Sequence, residues 1–79
     1  MESLEDRILE RIKIYRLRAG LSQENMASYL GYSGRSGYSS LERGKNQLTV
    51  DQLEKLLLIL QIPEEELQRI IHRFYEEHR

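Results

Sequence analysis

Arg35, Ser36, Ser39 and Ser40 fall at spacings of one, three and one, which sets their side chains on one side of a helical segment. These groups suit reading a surface rather than transforming a substrate. A guanidinium can donate to both major-groove acceptors of a guanine, and serine hydroxyls bond base edges with little discrimination. Tyr38 and Leu41, on the other side, are apolar and suited to a core. Arg43, Lys45 and Asn46 follow, donors of the kind that meet phosphate oxygens and fix register rather than sequence. Upstream, Ser22 and Gln23 open another short helical segment, whose first amides can meet an anion. Tyr32, in the turn between the two segments, fits a phosphate contact or hinge packing equally.

Catalytic chemistry has no comparable footing. There is no cysteine, hence no thiol nucleophile, disulfide or thiolate metal site. No glycine-rich phosphate loop with its lysine occurs, and the Ser, His and Asp residues lie in separate segments without a local signature. His72 and His78 are six positions apart, with no partner at metal-ligand spacing. No enzyme activity, metal, cofactor or small-molecule substrate is expected. The N-terminal MESLEDRILE is acidic where a secretory leader would be basic and then apolar. The longest apolar run, Leu56 to Leu60, is far short of the roughly 20 residues that span a bilayer. The expectation is a cytoplasmic protein with no membrane segment.

The net charge of −1 hides an asymmetry. Residues 1–10 carry Arg7 against Glu2, Glu5, Asp6 and Glu10, a balance of −3. Residues 11–46 carry seven basic groups against Glu24 and Glu42, a balance of +5, and residues 47–79 return to −3. A basic middle between acidic ends is the footprint of a face that binds a polyanion such as double-stranded DNA; alone, the pattern is more often a solvated face, and a motif has to decide between the two.

Five helical segments must position these groups, with no strand alternation anywhere. From Leu4 to about Arg18, the residues Leu4, Ile8, Ile12 and Tyr15 recur at helical spacing. Ser22 is a good N-cap for a helix from Gln23 to Leu30 that buries Met26, Ala27 and Leu30. Gly31 stops it, and Tyr32-Ser33-Gly34 forms the turn into a third helix, Arg35 to about Arg43. Gly37 inside that helix costs about 1 kcal/mol relative to alanine, which points to packing or a close approach at that position. Thr49-Val50-Asp51-Gln52 reads as a capping box for a helix to about Leu60. Pro63 followed by three glutamates reads as the start of a fifth helix, with proline at its first position. The fold class is all-α, and residues 1–79 read as one domain.

The segment LSQENMASYLGY followed by GYSSLERGK resembles the lambda-repressor/Cro-like helix-turn-helix family, the regulators of the xenobiotic-response-element type. The resemblance runs from about Ile12 to Leu67 and includes LTVDQLEKLLLIL and IPEEEL. It implies a five-helix DNA-binding domain whose helix-turn-helix lies at helices 2 and 3. It places Gln23 on phosphate near the start of the reading helix, makes Arg35, Ser36, Ser39 and Ser40 the base-edge candidates, and sets Arg43, Lys45 and Asn46 on the backbone. It also implies a buried ion pair between Arg16 and Glu42. Two departures stand out: the turn at Tyr32-Ser33-Gly34 is one residue longer than usual in the family, and Gln61 stands where glycine is common.

The resemblance implies a transcriptional repressor of bacterial, phage or plasmid origin, binding a palindromic operator as a homodimer. The same fold also serves in antitoxins, which hold a protein partner, and in the controller proteins of restriction–modification systems. Leu58 and Ile59 in the fourth helix, and Ile70, Ile71, Phe74 and Tyr75 in the fifth, offer more apolar surface than one small domain needs. The last helix could simply fold back on its own chain, but surface of that kind usually marks association, so these six residues form the expected dimer interface, with the helix of residues 63–79 as its main element.

Overall fold

The computed structural model describes residues 2–79 and contains five helices: α1 Leu4–Arg18, α2 Gln23–Leu30, α3 Arg35–Glu42, α4 Val50–Leu60 and α5 Glu64–Glu77. No strand occurs among the described residues. Three helices open on reciprocal capping boxes, Ser3 with Asp6, Ser22 with Asn25 and Thr49 with Gln52. Each box satisfies two amides that the first turn would otherwise leave without partners. Helix α3 opens on Gly34 with no side-chain cap, so its position depends on what it packs against. It ends at Glu42, with Arg43 as its cap rather than its last residue. Pro63 likewise sits in extended backbone just ahead of α5, rather than in its first turn.

Gly31 closes α2 at φ 82°, a left-handed backbone that glycine takes without strain. Gln61 closes α4 in the same conformation, at φ 52° and ψ 45°. The Ile62 amide then reaches back to the Leu57 carbonyl at 3.1 Å. The fourth helix therefore ends as a glycine would end it, and a side-chain-bearing residue carries the strain.

Helix α1 is the hub, packed against α3, α4 and α5, while α2 packs against α3. The core is Leu9 and Ile12 of α1, Met26 and Ala27 of α2, Tyr38 and Leu41 of α3, and Leu56 and Leu60 of α4. The buried line of α1 runs Leu9, Ile12, Arg16, so it is centred a step away from the stripe that periodicity suggested. Ile8 and Tyr15 pack at its flank, because a helix covered by neighbours on two sides buries more than one stripe. Helix α5 folds back on α1. Arg7 grips Glu77 there with two bonds of 2.9 and 2.7 Å, and the Glu66 carboxylate accepts from the Tyr15 hydroxyl at 2.9 Å.

Candidate nucleic-acid interface

Helix α3 is seated by two residues of its inner face, Tyr38 and Leu41, both fully buried. Ala27, buried in α2, keeps that helix slim where the two short helices pack. The opposite side of α3 is then turned away from the core. Arg35 and Ser36 are exposed there, while Ser39 and Ser40 are half-buried near the helix's flank. The four base-edge candidates are therefore unequal in reach. Arg43, Lys45 and Asn46 follow in an exposed stretch.

A chain of polar contacts runs from the core to that outer surface. Arg16 donates to both oxygens of Glu42, through Nε at 2.8 Å and Nη2 at 3.0 Å, and its Nη1 donates to the Leu21 carbonyl at 2.9 Å. The two side chains are only 9% and 3% exposed. Glu42 Oε1 also accepts from Gln23 Nε2 at 3.3 Å, and Gln23 Oε1 accepts from Arg35 Nε at 3.1 Å. Gln23 thus spans α2 and α3 and holds the base of the Arg35 guanidinium. Neither Arg35 Nη nitrogen meets an acceptor among the described residues, and the side chain is exposed.

The charges in this chain hold one another. Burial pushes the Glu42 carboxyl upward, but the hydrogen bonds from Arg16 and the neighbouring donors outweigh it and hold it below the usual carboxylate range. The hydrogen bond to Glu42 raises Arg16, which stays cationic. Burial, together with the adjacent Glu42, raises the Tyr38 phenol far out of the physiological range. Its hydroxyl is sealed from solvent without a hydrogen bond of good geometry.

Ser22 and Tyr32 have other engagements. The Ser22 amide donates to Asn25 Oδ1 at 3.0 Å and its hydroxyl accepts from the Asn25 amide at 3.0 Å. The amides left open to an anion at the start of α2 are therefore those of Gln23 and Glu24. Tyr32 is half-buried in the turn, and a Cβ added at Gly37 would stand 2.6 Å from its Cδ1. The glycine inside α3 is thus a packing residue, and the ring of Tyr32 fills the space it leaves. Gln52 Nε2 donates to the Tyr32 hydroxyl at 2.8 Å.

Two residues also position this surface through contacts that the sequence pattern did not mark, Gln52 having been read there only as part of a capping box. Glu5 accepts from the Leu48 amide at 2.7 Å and pins the α3–α4 connection to α1. Gln52 joins the turn to α4. Their side chains act over 43 and 20 positions of chain, beyond any local spacing rule.

The residues expected to form a dimer face divide. Ile70 is buried, and Ile59 packs against the core of its own chain. Phe74 is half-buried, with the Arg7 guanidinium 5.7 Å from its ring centre and the His78 ring stacked on it at 4.1 Å. Leu58 is 73% exposed, Tyr75 64% and Ile71 40%. Among the described residues, no helix is long and apolar enough to cross a membrane, and no three metal-ligating side chains come together.

A family model described as helix-turn-helix matches residues 12–67 of the chain. No curated protein and no solved structure matches it.

Proposed function

The chain belongs to the lambda-repressor/Cro-like helix-turn-helix family of DNA-binding regulators, and from that premise we propose that it represses transcription by covering a palindromic operator as a homodimer. One observation carries this reading. The outer fork of Arg35 stands free at the start of α3, while its inner nitrogen is held through Gln23 and Glu42 to the buried Arg16. A side chain anchored at its base loses less freedom when it binds, which favours a bidentate contact to one guanine. Ser36, Ser39 and Ser40 take adjacent base edges. The amide of Gln23, with Tyr32, Arg43, Lys45 and Asn46, fixes the register on phosphates.

Dimerisation places two reading helices about 34 Å apart, one turn of DNA. Leu58, Ile71 and Tyr75 supply the outward apolar surface for it, with Phe74 at the edge. Ile59 and Ile70 support the interface from beneath, since their own chain already covers them. Repression follows from occupancy, because a bound dimer excludes polymerase from an overlapping promoter.

Selection of bound duplexes from random-sequence DNA, followed by binding measurements at rising salt, tests the reading. The expected result is an inverted repeat and a log–log salt slope of several units, from four to six phosphates neutralised per subunit. Failure to enrich any motif, with a slope near zero, refutes it.

A further inference from the structure

Gln52 uses one side-chain amide for two elements at once. Its Oε1 accepts from the Thr49 backbone amide at 3.0 Å and completes the capping box of α4. Its Nε2 donates to the hydroxyl oxygen of Tyr32 at 2.8 Å. The Tyr32 ring lies so close to Gly37 that the place of a Cβ is taken. The start of α4, the turn and the reading helix are therefore tied together through a single glutamine.

The direction of the second bond matters. A phenol that accepts from an amide still has its own proton to give. That proton meets no acceptor among the described residues. Tyr32 also belongs to the stretch of residues 11–46 that carries the +5 balance, and it lies in the turn three residues ahead of Arg35, where α3 begins. We infer that the Tyr32 hydroxyl donates to a DNA phosphate, and that Gln52 is the residue that positions it, by fixing the phenol oxygen while leaving its proton unspent. This rests on the DNA-binding reading above and adds Gln52 to the residues that serve it.

The requirement is for an amide in particular. A glutamate at position 52 keeps the cap, because a carboxylate oxygen accepts from Thr49 equally well. It also reverses the bond to Tyr32, since a carboxylate can only accept and the phenol O–H must then donate to it. A double-mutant cycle separates this from ordinary charge repulsion, which acts whether or not the phenol is present.

The probe is the duplex that the wild-type chain selects from random DNA, bound by wild type, Tyr32→Phe, Gln52→Glu and the double variant. Tyr32→Phe is expected to weaken binding about tenfold, the worth of one hydrogen bond to a charged oxygen. Ethylation interference should lose one phosphate per half-site in that variant. In the Gln52→Glu background, Tyr32→Phe should change affinity by less than about twofold, with the melting temperature of Gln52→Glu near wild type. A tenfold loss in both backgrounds removes Gln52 from the role. A Tyr32→Phe protein that binds and footprints as wild type removes the phosphate contact. A wild-type protein without affinity for any duplex overturns the DNA-binding reading itself, and the inference with it.

Discussion

The ring of Tyr32 occupies the space that a side chain at Gly37 would need, with 2.6 Å between Cδ1 and the place of a Cβ. Alanine at 37 would favour an isolated helix by about 1 kcal/mol. Here it must push aside a ring whose far end is held by Gln52, and overpacking of that kind costs about 1–3 kcal/mol. Gly37→Ala should therefore lower stability in urea unfolding. In a Tyr32→Ala background the same change should raise it by about 1 kcal/mol. A stabilising Gly37→Ala in the presence of Tyr32 would show that the ring yields freely.

The Arg16–Glu42 pair is nearly sealed from water, so removing one partner leaves the other charged and unpaired. Glu42→Ala should cost about 3–5 kcal/mol, enough to threaten a domain of this size. Equilibrium unfolding at neutral pH checks this, and a loss below about 1 kcal/mol would place the pair outside the core's energetics.

Acid should act through the same carboxylate. Glu42 titrates lower in the folded chain than its ordinary value of 4.5, so below that value the unfolded chain binds the extra proton first. The stability it contributes is complete above about pH 4.5 and is lost as the pH falls through the lowered folded value. Unfolding free energy followed from pH 6 to pH 2 should decline over that window. Glu42→Gln should flatten the decline, and a variant with an unchanged slope would assign acid sensitivity to other groups.

Gln61 holds a left-handed backbone that glycine holds more easily. Gln61→Gly should raise stability by about 0.5–1 kcal/mol and leave DNA affinity as it is, since the side chain is exposed at the far end of α4. A melting temperature that falls would show that the glutamine side chain contributes more than its backbone strain removes.

Arg35→Ala should weaken binding to the selected operator by about 1–3 kcal/mol and relax preference at one base pair per half-site. Lys45→Ala should weaken all duplexes alike and lower the salt slope by about one unit per subunit. Equal losses of Arg35→Ala on operator and random DNA would assign Arg35 to phosphate instead. For the dimer, Tyr75→Asp is the cleaner probe than Phe74→Asp, because Phe74 also packs under Arg7 and His78. Sedimentation at micromolar concentration should show a wild-type dimer and a Tyr75→Asp monomer of unchanged helix content. A wild-type monomer would refute the proposed association.

Local physics made the elements of this chain legible. Helical periodicity, the Thr49–Gln52 capping box, the stop at Gly31 and the acidic run after Pro63 each act within a few residues. They located five helices to within a residue or so. The spacing of Arg35, Ser36, Ser39 and Ser40 against Tyr38 and Leu41 separated an outer from an inner side of α3, and the family resemblance implied the partnership of Arg16 with Glu42. What only the tertiary structure decided was which distant side chains share a bond. Tyr32 turns out to fill the gap at Gly37 and to accept from Gln52. Glu5 pins Leu48, and Glu66 leaves the row of dipole-facing acids to sit buried beneath Tyr15. Helix α5 spends Ile70 on its own chain, so fewer of its apolar residues remain exposed. The three hydrogen bonds among these contacts span 20 to 51 positions of chain. A pattern of period 3.6 says that a helix has an apolar side, but which neighbour covers it depends on how all five helices close around α1.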